Sequence, residues 1–262
     1  MFKHDAWQER SHGKWSRGLG VFAGVLLLSL QSTPSHALNF NPTDAEWATW
    51  GDMCRSRYVV SAAGRGSRFA NRIANSDVES WRSQVPGAWG SLHHYCAAKV
   101  VLSRAQAALT EQQKQHHLRR VLSEVAFSKA RTPTTEITYA DYLVLEAQAH
   151  NALNDPTAAL GSLAKAKSYH PNYGPPYSLE AIIRRKSGDL DGAKQVLDIA
   201  LAKDVSGLSE IHYLMAIVYR DKKQYETALT HAEKAEALGY PMTRLRYSLA
   251  RKIADQNKTA SN

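Results

Sequence analysis

The hydrophobic pattern from residue 140 onwards predicts pairs of amphipathic helices. In the first stretch, apolar and small residues recur every three or four positions, which places them on one face of a helix. The turn signal Asn154-Asp155-Pro156 interrupts this stretch, and a second helical pattern follows it. The side chains that share the buried faces of the two helices are Leu143, Ala147, His150, Ala159, Leu163 and Ala166. The unit of this region is therefore two helices joined by a short turn.

This unit occurs three times at a period of 34 residues, marked by Ala159, Ala193 and Ala228; the last interval is 35 because one residue is inserted between the second and third units. The three units span residues 140–173, 174–207 and 209–242. Gly188 divides the second unit, and the third ends at Gly239, two residues before a proline, as helices commonly do. A period of this length predicts a stack of units, each of which buries its apolar face against its neighbours.

The pattern resembles the tetratricopeptide repeat (TPR) family over about 100 residues. Ala147, Ala181 and Ala216 stand where two helices of a unit touch, and a larger side chain would push the helices beyond their packing distance of roughly 8–10 Å. The resemblance implies an all-α fold, a right-handed α-solenoid of antiparallel helix pairs with an N-terminal helical cap. It also implies a binding groove on the first helix of each unit.

Four positions depart from the family pattern. Glu146 and Glu180 stand where the family prefers leucine, and Arg184 stands where it prefers an aromatic residue. Leu208 is one additional residue between the second and third units. These departures weaken the match locally and leave the period intact.

Helical patterns also flank the repeats. Residues 91–133 predict a degenerate TPR-like helix pair. Residues 38–90 predict an N-terminal cap of short helices, with capping-box spacings at Thr43 to Glu46 and Ser76 to Glu79 and a break at Gly64-Arg65-Gly66 between them. Residues 243–255 alternate apolar and basic side chains and predict the capping helix that closes a solenoid. The polar tail, residues 256–262, is expected to be disordered.

Residues 1–37 have the three parts of a secretory signal peptide. A basic segment precedes an apolar run of about a dozen residues, and Ser35-His36-Ala37 provides a small-residue cleavage site. The run is shorter than the roughly 20 residues of a membrane span. We therefore expect cleavage after Ala37 and an exported protein, periplasmic or secreted, with no membrane span in the mature chain. An uncleaved anchor is the alternative.

Charge and cysteine usage agree with export. The mature chain keeps 29 basic and 22 acidic residues, a net charge of +7, and has no compact basic run of the nucleic-acid-binding kind. Its two cysteines, Cys54 and Cys96, are expected to pair in an oxidising compartment.

The densest group of reactive side chains suggests a different function. His93, His94 and Cys96 lie close together in sequence, and His93 and Cys96 share a helical face. A metal- or cofactor-binding accessory protein is therefore the alternative, although zinc or copper requires three or four ligands in fixed geometry. A disulfide with histidines that pack or hydrogen-bond is the simpler interpretation, and we expect no cofactor.

No nucleophile or phosphate-loop motif occurs in the mature chain, and about 100 residues precede the repeats, so we expect no enzyme. The resemblance places a groove for a protein partner at Asp141, Val144, Gln148, Asn151, Ser178, Ile182, Arg185, Tyr213, Ile217 and Arg220. Its charge changes from neutral in the first unit to basic in the others, which suits an acidic or amphipathic segment that is extended or helical. The alternative is a solvated face that binds nothing. The function expected is a scaffold or adaptor of the bacterial cell envelope.

Overall fold

The computed structural model describes residues 40–241 and 244–260. The predicted signal peptide lies outside the described residues. Within them the chain forms thirteen helices and no strand. These are α1 (Asp44–Thr49), α2 (Asp52–Val59), α3 (Ala62–Arg65), α4 (Asn75–Gln84), α5 (Leu92–Gln106), α6 (Glu111–Lys129), α7 (Ile137–Ala152), α8 (Pro156–Tyr169), α9 (Pro175–Lys186), α10 (Leu190–Ala202), α11 (Leu208–Asp221), α12 (Tyr225–Ala237) and α13 (Arg244–Ala260).

Helices that follow each other from α5 onwards pack side by side, which confirms the all-α solenoid. The close pairs are α5 with α6, α7 with α8, α9 with α10, and α11 with α12. The small residues predicted at these contacts are buried: Ala147 and Ala216 are 0% exposed and Ala181 is 2% exposed. Alanine at these positions lets the backbones approach, so the repeat period in the sequence records a packing requirement.

The first helix of each repeat ends in the same left-handed turn. Asn154, Gly188 and Lys223 follow α7, α9 and α11, and their φ angles are 62°, 85° and 62°. In each turn the next N–H donates to the carbonyl five residues earlier, at 2.9 Å in all three, as in a Schellman motif. Two of the three repeats therefore place a non-glycine residue where glycine is least strained.

The start of the second helix differs between repeats. The Asp155 and Asp189 carboxylates accept from the backbone N–H groups of Ala158 and Gly192, at 3.0 and 2.9 Å. Gln224 stands at this position in the third repeat and makes no side-chain cap. The third repeat consequently has the least favourable turn of the three.

The N-terminal cap is built around aromatic rings. Trp47 stacks on Phe69 with 4.4 Å between ring centroids, and Trp50 and Tyr58 pack against the same group. The disulfide between Cys54 in α2 and Cys96 in α5 joins the cap to the first long helix pair. The predicted disulfide is therefore present, and it anchors a region whose helices are too short to be stable alone.

Three details of the flanking regions differ from the sequence expectations. The capping box at Thr43 and Glu46 forms, but α4 begins at Asn75 and has no side-chain cap, so the box predicted at Ser76 is absent. Gly64, expected in a break, lies in the short helix α3. The tail predicted to be disordered from residue 256 continues α13 to Ala260, because no glycine or proline stops the helix.

No helix within 40–241 and 244–260 combines the length and the hydrophobicity of a membrane span.

Candidate partner-binding groove

The first helices of the repeats form the inner layer of the solenoid. Helix α9 contacts both α7 and α11, and α7 also contacts α5, whereas α8, α10 and α12 pack mainly against helices that adjoin them in sequence. We call the side of the stack that α7, α9 and α11 form the inner face, and the sequence places the groove there.

The structure places the ten predicted groove residues on these three helices, with unequal access to solvent. Nine of them are partly exposed: Asp141, Val144, Gln148, Asn151, Ile182, Arg185, Tyr213, Ile217 and Arg220. Ser178 is only 5% exposed and donates to the Glu210 carboxylate at 3.0 Å, because α9 and α11 lie close together there. The expectation that Ser178 faces solvent is therefore wrong.

Asp141 is partly exposed, but its carboxylate already has a partner. Its carboxylate accepts a hydrogen bond from the Tyr173 hydroxyl. Burial raises the pKa of Asp141, although the Tyr173 hydrogen bond and the nearby Lys99 partly oppose the shift. Asp141 thus fixes the joint between the first two repeats, where Tyr173 precedes α9.

Asp221 forms an ion pair with each of the two arginines that make the groove basic. Arg185 Nε lies 2.6 Å from Asp221 Oδ2, and Arg220 Nη2 lies 2.8 Å from Asp221 Oδ1. Burial would raise the pKa of Asp221, but the hydrogen bonds from Arg220 and Arg185 outweigh it and lower this pKa. We call Arg185, Arg220 and Asp221 the arginine cluster. It keeps one net positive charge at neutral pH.

The arginine cluster is positioned to donate further hydrogen bonds. Arg185 uses only Nε in its bond to Asp221, so within the described residues its two terminal amino groups make no hydrogen bond. A guanidinium presents parallel N–H donors that match a carboxylate. The arginine cluster can therefore bind a carboxylate of a partner while Asp221 holds Arg185 in place.

Next to the arginine cluster the groove is apolar and aromatic. Ile182 packs on the core shared by the second and third repeats, and Ile217 packs on the core that the third repeat shares with α13. Tyr213 stacks on Tyr240 with 4.3 Å between ring centroids and 23° between ring planes. A partner side chain in this part of the groove meets aliphatic and aromatic carbon, and one beside the cluster meets positive charge.

The glutamates that depart from the family pattern form ion pairs between successive repeats. Lys129 Nζ lies 2.5 Å from Glu146 Oε1, and Lys167 pairs with Glu180 in the corresponding place one repeat later. Arg184, the third departure, lies 2.8 Å from Glu180. Sequence reasoning missed these pairs because each joins helices of adjacent units. The periodic lysine near the end of α6 and α8 was the available signal.

The side chains of the suspected metal cluster have other partners. Cys96 is bonded to Cys54, the Arg57 guanidinium contacts His93 Nδ1 at 3.1 Å, and His94 Nδ1 lies 2.6 Å from Glu124. No group of three His, Cys, Asp or Glu side chains that could hold a metal ion occurs in the part of the chain that the structure describes. The disulfide removes the thiolate, and the metal hypothesis loses its softest ligand.

No protein-family model and no curated protein matches this chain. Among solved structures, TTC0263, a thermophilic TPR protein of Thermus thermophilus, is similar over 66% of this chain and 98% of its own, with 18% identity and a TM-score of 0.44. The MamA RS-1 ArsTM double mutant is similar over 63% of this chain and 89% of its own, with 17% identity and a TM-score of 0.42. These scores transfer no function.

The chain's own geometry defines its class. Three helix pairs repeat along the chain, with alanines at the helix contacts and the same turn after each first helix. This is the architecture of an all-α solenoid of helix pairs, as the sequence predicts.

Proposed function

We propose that this protein is a non-enzymatic scaffold that docks a segment of a protein partner on the inner face of α7, α9 and α11. The observation that carries the proposal is the arginine cluster, in which two guanidinium groups share one carboxylate beside an apolar surface. A buried or half-buried ion cluster with excess charge favours a ligand of opposite charge. The matching segment carries an acidic residue next to apolar side chains and is extended or helical.

The repeats support docking because their inner face is held by contacts between units. The Ser178–Glu210 hydrogen bond and the Arg185–Asp221 ion pair both join α9 to α11. A surface fixed in this way loses little conformational entropy when a partner binds. The binding free energy can then come from a few contacts, with the arginine cluster at their centre.

We further propose that the scaffold works in the bacterial cell envelope, in the assembly of an envelope, secretion or polysaccharide complex. The predicted signal peptide and the Cys54–Cys96 disulfide support this location, because disulfides persist in oxidising compartments. The test is fractionation of cells expressing the tagged full chain. Recovery in the periplasm or medium with a new N-terminus at residue 38 is expected, and full-length protein in the cytoplasm would contradict export.

Affinity capture with a neutralised groove tests the docking site. The tagged protein is recovered from its own cell envelope after mild crosslinking, and bound proteins are identified by mass spectrometry. The variant combines Arg185→Gln, Arg220→Gln and Asp221→Asn, which removes one net charge and strands no carboxylate. Replacing the arginines by glutamate would instead place like charges beside Asp221, so neutral residues are the cleaner change.

A matched control removes the same net charge from the outer face. Lys165 in α8 is exposed and its side chain makes no ion pair within the described residues, so Lys165→Gln leaves the groove intact. We expect one stoichiometric partner that the control retains and the groove variant loses. Equal recovery by both variants would show that the partner binds elsewhere and would contradict the proposed site.

A further inference from the structure

The N-terminal cap contains a cavity of about 290 Å³ beside the disulfide. Rings of Phe40, Trp50 and Tyr58 form part of its wall, together with Ala97 and the Cys96 side of α5. Its volume is close to the lower end of the range of small-molecule sites, roughly 300–1,000 Å³. The cavity is separate from the inner face of the repeats, and the proposed scaffold function makes no use of it.

Arg57 in this cavity lacks the partner that other half-buried arginines of the chain have. Its Nε donates to the Trp89 carbonyl at 2.7 Å and its Nη2 to the Gly90 carbonyl at 3.3 Å and to His93. The guanidinium also lies over the Trp89 ring, with Cζ 5.8 Å from the ring centroid. No carboxylate pairs with it among the described residues. By contrast, carboxylates lie within 3 Å of the guanidinium nitrogens of Arg104, Arg184, Arg185 and Arg246.

The side chains near Arg57 add further positive charge. Burial lowers the pKa of Arg57, and the positive charges of Arg82 and Arg65 lower it further. Arg65 also lines the cavity, and its guanidinium donates only to the Val60 carbonyl at 3.0 Å. Two arginines therefore line one small cavity without an acidic residue to balance them. Arg65 is exposed to solvent, so the cost of an unbalanced charge falls on the half-buried Arg57, and a bound anion would reduce that cost.

His93 adds a polar group without adding charge. Because an arginine can only donate, His93 Nδ1 accepts from Arg57, and the ring of the neutral histidine carries its proton on Nε2. Burial lowers the pKa of His93 to about 4, and the Arg57 charge contributes to the shift. At neutral pH the cavity thus combines two guanidinium groups, a neutral imidazole and aromatic walls.

We propose that the cavity binds a small organic carboxylate, with the carboxylate at Arg57 and Arg65 and an apolar body against Trp50 and Tyr58. Within the described residues Arg57 Nη1 and Arg65 Nε and Nη2 make no hydrogen bond, so both guanidinium groups can still donate to a carboxylate. The aromatic walls favour a ring or short hydrocarbon chain over a fully hydrated anion. The disulfide holds α2 against α5 and so maintains the cavity between them.

Isothermal titration of the full-length protein tests the charge requirement. The probes are phenylacetate and its neutral isostere phenylacetamide. We expect phenylacetate to bind at least about tenfold more tightly, the factor that corresponds to one charge-assisted hydrogen bond. Equal affinities for the two probes, or no measurable binding of phenylacetate, would overturn the proposal.

Three variants locate the binding site. Arg65→Gln removes an exposed arginine whose loss leaves the fold's core untouched, and Ala62→Trp fills the cavity rim from an exposed position of α3. Arg55→Gln is the control, because Arg55 also lies in α2 but does not line the cavity. We expect weaker binding with Arg65→Gln, complete loss with Ala62→Trp and no change with the control. Binding that survives both cavity variants would place the ligand elsewhere and overturn the proposal.

Discussion

The turn after the first helix of each repeat gives the sharpest stability prediction. Lys223 occupies the left-handed position that Gly188 occupies one repeat earlier, with φ of 62° and 85° respectively. A left-handed conformation costs a non-glycine residue roughly 1–2 kcal/mol, while glycine loses about 0.5–1 kcal/mol more backbone entropy on folding. Lys223→Gly should therefore stabilise the folded protein by about 0.5–1 kcal/mol.

Chemical denaturation followed by circular dichroism measures this effect. The equivalent shift in melting temperature is about 1–4 °C for a chain of this size. The lysine side chain makes no ion pair within the described residues, so the substitution changes the backbone preference and little else. Loss of stability in Lys223→Gly would refute the left-handed turn at this position.

Two further variants separate the turn from a general effect of glycine. Gly188→Ala should destabilise by about 1 kcal/mol. A Cβ at Gly188 meets no atom within 4 Å, so the cost comes from the backbone alone. Lys203→Gly is the control, because Lys203 follows α10 with φ of −89°. It should destabilise slightly, and a gain comparable to that of Lys223→Gly would show that the turn is not responsible.

Three other substitutions should change the stability of the folded protein. Gln224→Asp should supply the missing cap of α12 and stabilise by about 1 kcal/mol in denaturation, and no gain would exclude capping. Replacing both Cys54 and Cys96 by serine should cost about 4 kcal/mol for a loop of 42 residues, and an unchanged unfolding midpoint would contradict this estimate. Ala181→Leu should cost roughly 1–3 kcal/mol through overpacking, whereas tolerance would mean that α9 and α10 separate easily.

The half-buried His231 makes the stability of the folded protein depend on pH. Burial, with help from His212, lowers the pKa of His231 to about 4 from 6.5. The unfolded chain therefore binds the proton first, and the folded state loses stability as pH falls from 6.5 toward 4. His231→Gln should reduce this loss, measured as unfolding free energy at several pH values. An identical pH profile for the variant would contradict the burial of this ring.

The repeats could be predicted from the sequence alone, because the patterns that define them are local. The period of alanines and the turns at Asn154 and Gly188 follow from contacts within one helix pair. The pairs Lys129–Glu146 and Lys167–Glu180 could not be predicted in the same way, since the partners are 17 and 13 residues apart on helices of different units.

The groove was predicted in outline and its electrostatics were not. The family pattern placed Arg185 and Arg220 on the inner face, but it gave no reason to expect that Asp221 would bind both. The N-terminal cap was harder still to predict, because its organisation depends on contacts between residues far apart in the sequence. The Arg57–His93 contact spans 36 residues, and no periodic pattern in the sequence predicts it. The disulfide spans 42 residues and could be predicted only because the mature chain has no other cysteine.

The central claim is that a protein partner binds the inner face, and site-specific photocrosslinking tests it most directly. A photoreactive amino acid is placed in the tagged protein in living cells at Gln148, on the inner face of α7, or at Lys165, on the outer face of α8. The account predicts a crosslink to one discrete protein from position 148 and none from position 165. Crosslinking from position 165 alone, or equally from both, would contradict the groove as the binding site.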